Sequence, residues 1–339
     1  MMNSEEFLSM VLAPAHPDEQ QRVLLSLLER PYAEAQALPT ETERRNAHLK
    51  HILHTKALIE TLVGPQLLAR ATAASRPGSP ADGPALADAG GMDTMMQRFR
   101  LAHAGGAYFF SVLEKVRHEY RHRVARREFR DELCGAYPWR DAQHAALHVR
   151  PACEHSAPSA LGHRYPWSLA EPYARANTAE AARAELYQSR LRVRTLTAAD
   201  LQSPGEQGLI GQRGVFAHAR IPAGSCVGVY GGQLLDRADL FILQDDRYLI
   251  SASSTPGDKG INGENMMAMM NTHYLLDAQG QVVGHPPTGY NVEPAAFTVE
   301  TLQGEPLIIH AYFATCDIDA GEELRWNYNS GRLASAAQE

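Results

Sequence analysis

The sequence has few cysteines, no long apolar run and few lysines in its last part. Its 339 residues include four scattered cysteines, without the Cys-x-x-Cys spacing of structural zinc and redox sites. No apolar run approaches the length that a membrane-spanning helix needs. The opening MMNSEEFLSMVLA has glutamates where a secretory signal carries positive charge. We therefore expect no Sec-type signal and a reducing compartment, the cytoplasm of the producing cell.

Cationic side chains become scarce after residue 200. Residues 201–339 contain one Lys and six Arg against eight Asp and eight Glu, a net charge of −9, whereas residues 1–200 carry +2. An acidic surface attracts a basic partner and repels nucleic-acid phosphates. The charge therefore favours a basic protein or peptide as partner over nucleic acid. A surface charge that only keeps the protein soluble is the alternative.

The first part of the chain has the periodicity of helices. Thr40 and Glu43 have the spacing of a capping box, in which each side chain satisfies the other residue's backbone amide. Apolar residues follow at helical spacing until Gly64-Pro65. Residues 71–91 are rich in Ser, Pro, Gly and Ala, which is typical of a flexible linker. We therefore predict a helical segment at 1–70 and a linker at 71–91.

A second helical region is predicted at 92–190. Phe109, Leu113 and Val116 belong to an apolar stripe on a long helix running to about Leu133, with Gly105-Gly106 as a candidate break. Its far end, KVRHEYRHRVARREFR, holds seven basic residues against two acids. Such a segment suits docking on an acidic surface, and contact with nucleic acid or a membrane surface is the alternative. Beyond it, Tyr-Pro-Trp occurs twice, which indicates aromatic anchors.

Histidines and a cysteine cluster in sequence between residues 144 and 163. His and Cys side chains at short spacings can hold zinc. This segment lacks paired cysteines, and surface histidines are common, so the sequence favours no metal site. The candidate ligands are His144, His148, Cys153, His155 and His163.

From about Leu191 the pattern changes to short apolar runs separated by Gly, Pro and Asp. Runs such as GVFAHARI and EPLIIHAYFATCDI are typical of strands joined by tight turns. The sequence therefore predicts an α+β protein, in which a helical N-terminal region precedes a mostly β domain at 191–339.

Three segments of this β domain carry a family resemblance. They read GQRGVFAHARIPAGSCVGVYGG at 211–232, NMMAMMN at 265–271 and IDAGEELRWNYN at 318–329. In this order they resemble the signature motifs of SET-domain lysine methyltransferases, over roughly residues 205–330. The resemblance implies a β-clip fold with a pseudoknot, in which one segment threads beneath another, and S-adenosyl-L-methionine as cofactor.

The resemblance also implies roles for individual residues. Tyr328 occupies the position of the tyrosine beside the transferred methyl group, and Tyr230 that of a tyrosine lining the lysine channel. Both are therefore the candidate catalytic residues. The candidate cofactor-binding residues are Arg213, Gly214, Val215, Phe216, Asn271, Thr272 and Trp326.

Tyrosines suit the chemistry that such a site performs. Methyl transfer to lysine requires a neutral amine, and with a lysine pKa near 10.4 its neutralisation at pH 7 costs roughly 4–5 kcal/mol. A narrow aromatic channel disfavours the ammonium form and aligns the amine with the methyl group. A tyrosine supplies both an apolar ring for the lysine stem and a hydroxyl that orients the nitrogen.

Several positions depart from the family pattern. Thr272 replaces the usual His, and Ala268-Met269 replace Arg-Phe. Pro294 stands where some relatives have an aromatic channel wall, and an insertion, HYLLDAQGQVVGHPPTGY, precedes Asn291. Loops of this kind often carry specificity. A cysteine-rich tail after the last motif is absent, so the cover of the site must come from elsewhere, with Trp326 as one candidate.

Two hypotheses of function remain open. In the first, the protein is an S-adenosylmethionine-dependent lysine methyltransferase acting on a basic, possibly histone-like, segment. In the second, it is a catalytically silent protein-binding module, or an effector whose helical half binds a partner. The Ala-rich composition and the missing tail look bacterial, and some bacterial proteins with this domain are delivered into host cells, so export stays open. The oligomeric state is not predicted.

Overall fold

The structure is a computed structural model that describes residues 3–63, 89–124, 135–255, 257–277 and 282–329. The chain divides into two compact units, Met1–His122 and Arg123–Glu339. Most of the predicted linker, residues 71–88, lies outside the described residues, as do residues 125–134 at the end of the predicted basic helix. Within the described ranges, no helix is long and apolar enough to cross a membrane.

The first unit packs its helices around a small apolar core. The predicted capping box forms, with the Glu43 amide donating to Thr40 Oγ1 at 3.2 Å and the Thr40 amide donating to Glu43 Oε2 at 3.2 Å. Phe7, Leu24 and Leu62 are fully buried in the core. The described helices are α1 (Ser4–Leu12), α2 (Pro17–Gln36), α3 (Glu41–Val63) and α4 (Ala89–Glu119).

The predicted long helix differs from α4 at two places. The helix passes through Gly105-Gly106 without a break, and a Cβ added at Gly105 would lie 3.0 Å from Ile59 Cγ1. Gly105 thus allows α3 and α4 to approach closely. The helix ends at Glu119 and is followed by a 3₁₀ turn at Arg121–Arg123, whereas the apolar pattern predicted an end near Leu133.

Residues 135–188 belong to the β-rich unit, although the sequence predicted a helical region there. They form two short strands, β1 (Trp139–Arg140) and β2 (Val149–Pro151), and two short helices, α5 (Trp167–Ala174) and α6 (Glu180–Gln188). The Tyr-Pro-Trp anchors explain this placement. Trp139 is buried in the core of this unit, where its indole Nε1 donates to the Tyr230 carbonyl at 2.9 Å.

The remaining strands form small sheets around that core. They are β3 (Leu191–Thr195), β4 (Arg213–Ala217), β5 (Cys226–Val229), β6 (Gly232–Asp236), β7 (Leu249–Ser251), β8 (Lys259–Gly263), β9 (Leu275–Leu276), β10 (Val282–Gly284), β11 (Val292–Thr301) and β12 (Pro306–Ala314), with helix α7 (Arg237–Ile242) after β6. The described strands pair in the orders β1-β6-β8-β7, β2-β11-β12-β5, β3-β4 and β9-β10. The α+β class predicted from the sequence is confirmed.

Residues 318–329, which carry the third sequence motif, bridge several segments that are distant in sequence. Ile318 bridges Ile221, Glu323 bridges Phe216 in β4, and Arg325 bridges Asn271 in parallel orientation. The segment therefore inserts between β4 and the Asn271 stretch, far apart in sequence. This crossing brings the three sequence motifs together.

Candidate functional site

The three motifs meet at the side chain of Asn271. Its Nδ2 donates to the Arg213 carbonyl at 3.2 Å and to Glu323 Oε1 at 2.8 Å. Its carbonyl accepts from the Trp326 amide at 3.1 Å. Asn271 thus joins the start of β4 to the closing segment, and its amide acts as a structural junction.

Glycine is required at 214 because other groups approach its backbone closely. An added Cβ would lie 2.7 Å from Glu323 Oε1, 2.8 Å from Leu196 Cδ1 and 3.2 Å from Asn271 Nδ2. Contacts under 3.0 Å would force the neighbouring groups apart. Gly214 therefore allows the start of β4 to pack closely against Asn271 and Glu323.

A buried ion network lies beneath this junction. Arg325 is 1% exposed, and its Nε donates to Glu323 Oε2 at 2.8 Å while Nη1 donates to Glu206 Oε1 at 2.5 Å. His273 Nδ1 also lies 3.2 Å from Glu206 Oε1. Burial opposes the charge of Glu206, but the hydrogen bonds and charge of Arg325 outweigh it and lower the pKa of that carboxyl. The Glu206 carboxyl is therefore held ionised beside the Arg325 guanidinium in the core.

The predicted catalytic tyrosines both donate to backbone carbonyls. The Tyr328 hydroxyl donates to the Met270 carbonyl at 2.8 Å, and the Tyr230 hydroxyl donates to the Tyr248 carbonyl at 2.6 Å. Burial raises the pKa of Tyr328 well above its ordinary value, with the neighbouring tyrosines adding to the shift. The Tyr328 phenol is therefore a neutral hydrogen-bond donor at physiological pH.

Aromatic rings extend from Tyr328 in both directions. Trp326 lies between Tyr312 and Tyr328, with ring centroids 5.2 Å and 4.9 Å away. Tyr312 lies opposite Pro294 in the β11–β12 pair, and its ring is 6.2 Å from that of Tyr230. An aromatic ring on β12 thus stands near the position where Pro294 removed an expected wall.

Three of these side chains help to surround a cavity of about 420 Å³. Tyr230, Trp326 and Tyr328, three of the predicted site residues, line it together with Met270 and Tyr248. The other predicted cofactor residues do not line this cavity. They are Arg213, Gly214, Val215, Phe216, Asn271 and Thr272.

Three of these residues, Val215, Phe216 and Thr272, are surrounded by other groups. Val215 is fully buried, and its carbonyl accepts from the Leu324 amide at 2.8 Å. The Arg194 guanidinium lies 3.5 Å over the Phe216 ring. Thr272, in the position of the family histidine, is fully buried, with its Oγ1 3.4 Å from the Tyr290 hydroxyl.

Sequence reasoning missed several residues of the site. Tyr248, His285 and His310 line the cavity, and Glu206 belongs to the ion network below it. The burial of His310 lowers its pKa to about 4, and its Nε2 donates to the Ser251 carbonyl at 3.0 Å. The only sequence signal for His285 was the insertion before Asn291. Tyr248, His310 and Glu206 had none, because their positions depend on long-range packing.

The candidate zinc ligands are dispersed among other partners. His148 packs edge-on against Tyr137, with ring centroids 4.5 Å apart, and His163 Nδ1 lies 2.6 Å from Glu293 Oε1. In the part of the chain that the structure describes, no three His, Cys, Asp or Glu side chains are grouped as a metal site would require.

Comparison with known proteins identifies the domain. Residues 212–329, about a third of the chain, match the family model of the SET domain. Similar solved structures include the polycomb repressive complex 2 of Chaetomium thermophilum, at 21% identity over 41% of this chain and 15% of that one, with a TM-score of 0.27. Another is ctPRC2 in an autoinhibited conformation bound to S-adenosylmethionine, at 18% identity over 44% and 17%, with a TM-score of 0.28. The chain spans less than a fifth of the length of these solved chains, and no curated protein sequence matches it.

Proposed function

We propose that this SET domain transfers a methyl group from S-adenosylmethionine to a lysine amine in a basic protein segment. The observation that carries the proposal is the cavity in which Tyr230, Trp326 and Tyr328 meet. This cavity adjoins the contact between Arg213 and Asn271, because Tyr328 donates to the carbonyl of Met270, the residue before Asn271. SET-domain proteins are in general S-adenosylmethionine-dependent lysine methyltransferases, which supports the same reaction here.

The residues present fit such a cofactor. When bound, S-adenosylmethionine supplies an electrophilic methyl group on a positively charged sulfur. The rings of Trp326 and Tyr328 offer faces that attract a cation. The main chain at Arg213 and Gly214, which packs against Asn271 and Glu323, would hold the remainder.

The tyrosines of the cavity would prepare the lysine. The Tyr230 ring is 4% exposed, and together with Trp326 it gives the aliphatic stem an apolar surface. Such a surface disfavours the ammonium form of the amine. The neutral Tyr328 hydroxyl, fixed by the Met270 carbonyl, keeps its lone pairs available to orient the amine nitrogen.

The proposed substrate is basic because the domain is acidic. Residues 201–339 carry a net charge of −9, which favours approach of a segment rich in Lys and Arg, as in a histone. A target inside the producing cell and a target in a host cell share this chemistry.

Labelling with a tritiated methyl donor tests the proposal. We expect transfer to basic proteins in panels of histones and bacterial lysate, and the panel that is labelled separates a host target from an endogenous one. Tyr328→Phe is the control that should not transfer.

Calorimetry separates an enzyme from a silent binding module. The proposal predicts heat of binding when S-adenosylmethionine is added to the wild type. No heat, together with no labelling, would favour the binding module, in which the changed Asn271-Thr272 motif has lost the cofactor.

A further inference from the structure

His285 lies in the insertion that separates this chain from the family pattern, yet it lines the cavity. Its ring centroid is 5.8 Å from that of Tyr328 and 5.6 Å from that of Tyr274. The insertion therefore carries an imidazole to the place where the proposed amine and methyl group meet.

The hydrogen bonds of His285 determine which ring nitrogen carries the proton. Nδ1 lies 2.8 Å from the carbonyl oxygen of His273. A carbonyl oxygen only accepts, so Nδ1 must be protonated and the neutral ring has its lone pair on Nε2. Thr272 Oγ1, 3.3 Å from Nδ1, holds the same edge of the ring.

Nε2 is left free by the described part of the chain. The hydrogen bonds and ion pairs found among the described residues engage only Nδ1 of this ring. His310, the other histidine of the cavity, donates from Nε2 to the Ser251 carbonyl, so its lone pair lies on Nδ1, and its burial lowers its pKa to about 4, which makes it a poor base. Of these two imidazoles, His285 is therefore the one better placed to take a proton in the cavity.

We propose that His285 is the general base of this site. The inference rests on the proposed function. The N–H bond of the target ammonium breaks, an Nε2–H bond forms, and the electron pair stays on the amine nitrogen for attack on the methyl group. The imidazolium then returns the proton to water. The ordinary pKa values of lysine and histidine differ by about four units, and the aromatic rings beside the amine narrow that gap by disfavouring the ammonium.

Other titratable groups lie beside His285 or line the same cavity and must be separated from it. Beside its ring are the phenols of Tyr274 and Tyr328, and the Thr272 hydroxyl does not titrate. The other titratable groups that line the cavity are Tyr230, Asp246, Arg247, Tyr248, Lys259 and His310. A substitution at 285 that keeps the hydrogen bond made by Nδ1 removes the imidazole alone, so its contribution to the pH profile can be separated from theirs.

His285→Asn is that substitution, because its amide nitrogen can donate to the His273 carbonyl while offering no base. With a basic peptide that the wild type methylates, we expect a loss of kcat of about 10²-fold at pH 7, the lower range for a general base, with peptide KM and S-adenosylmethionine affinity unchanged. The loss should shrink as pH approaches 10, because solvent then removes the proton from a growing share of the target lysine. Nitrogen-15 NMR of the wild type should show the Nδ1–H tautomer.

Tyr290→Phe is the matched control, since it alters the same loop at the Thr272 contact without touching the imidazole. It should keep the wild-type kcat and pH profile. If His285→Asn turns over at the wild-type rate at pH 7, or if the NMR spectrum shows an Nε2–H tautomer, His285 is not the general base. The proposed methyltransferase activity would not be affected by either result. A wild type that labels no substrate would overturn the proposed function and the base with it.

Discussion

Tyr328 and Tyr312 are two phenols on either side of Trp326 that differ in their hydrogen bonding. Tyr328 donates to the Met270 carbonyl at 2.8 Å. Tyr312 is fully buried, and its hydroxyl has no hydrogen-bond partner among the described residues. The Tyr328 hydroxyl is thus held in one orientation, whereas the Tyr312 hydroxyl is desolvated without a hydrogen bond to offset the cost.

We expect Tyr328→Phe to lower the rate of methyl transfer by about 10²-fold or more, because it removes the fixed hydroxyl whose lone pairs would orient the amine nitrogen. S-adenosylmethionine affinity, measured by calorimetry, should change little. Tyr312→Phe should leave turnover unchanged and stability equal or higher by up to about 1 kcal/mol, since an unpaired buried hydroxyl is lost. Equal rates for wild type and Tyr328→Phe would remove Tyr328 from the mechanism.

At the scale of single residues, the sequence located the junction but not the whole cavity. Gly214, Asn271 and Tyr328 lie in segments with family spacing, so they could be named in advance. His285 and Tyr248 could not, because no local pattern says which residues a loop places beside Tyr328.

At the scale of elements, the ion network connects the 3₁₀ segment Pro204–Leu209 to residues 318–329. Arg325 and Glu206 are each 1% exposed in the side chain, so neither charge is compensated by water. Arg325→Met should therefore destabilise the protein by about 3–5 kcal/mol, as expected when one partner of a buried pair is removed. Urea unfolding of the full chain measures this change.

Arg150→Met is the control for that measurement. Arg150 pairs with Glu300 across β2 and β11, but the two side chains are 65% and 38% exposed. Its loss should change stability by at most about 1 kcal/mol. If both substitutions had the same small effect, the network would not hold the two segments together.

The helical unit contains histidines that should make its stability depend on pH. Burial, with the neighbouring His48 and His54 adding to it, lowers the pKa of His51 to about 4. Between this value and the ordinary 6.5, the unfolded chain binds a proton that the folded chain does not. Stability is therefore complete above pH 6.5 and falls towards pH 4, by at most about 3 kcal/mol from this ring.

Hydrogen exchange of the α2 and α3 amides at pH 7 and pH 5 measures that loss. In His51→Gln, whose amide can still donate to the Tyr108 hydroxyl that His51 contacts at 3.2 Å, the part of the pH dependence that comes from this ring should disappear. His103→Gln, an exposed position on α4, should keep it. Equal protection of the wild type at both pH values would contradict the prediction.

Element prediction succeeded where interactions are local and failed where they are not. The capping box at Thr40–Glu43 depends on four consecutive residues and forms as predicted. Residues 135–188 instead join the β-rich unit through partners such as Gly232, which pairs with Trp139. No periodicity within the segment contains that information.

At the scale of the whole molecule, the uneven distribution of charge leads to a kinetic prediction. The segment 201–339 carries −9, and charges beyond a Debye length are screened as salt rises. If the proposed substrate is a basic segment, kcat/KM should fall several-fold between about 0.05 and 0.3 M salt, because screening weakens the attraction that speeds association. The kcat should change little, since the bound complex excludes most of the screening ions.

Peptides with one central lysine and basic, neutral or acidic flanks separate this effect from a general effect of salt. The basic peptide should have the highest kcat/KM at low salt, and the three values should converge as salt rises. The acidic peptide should gain from added salt, because screening weakens its repulsion. Equal values for all three peptides at low salt would mean that the negative charge serves solubility alone, and that recognition depends on the cavity around Tyr328.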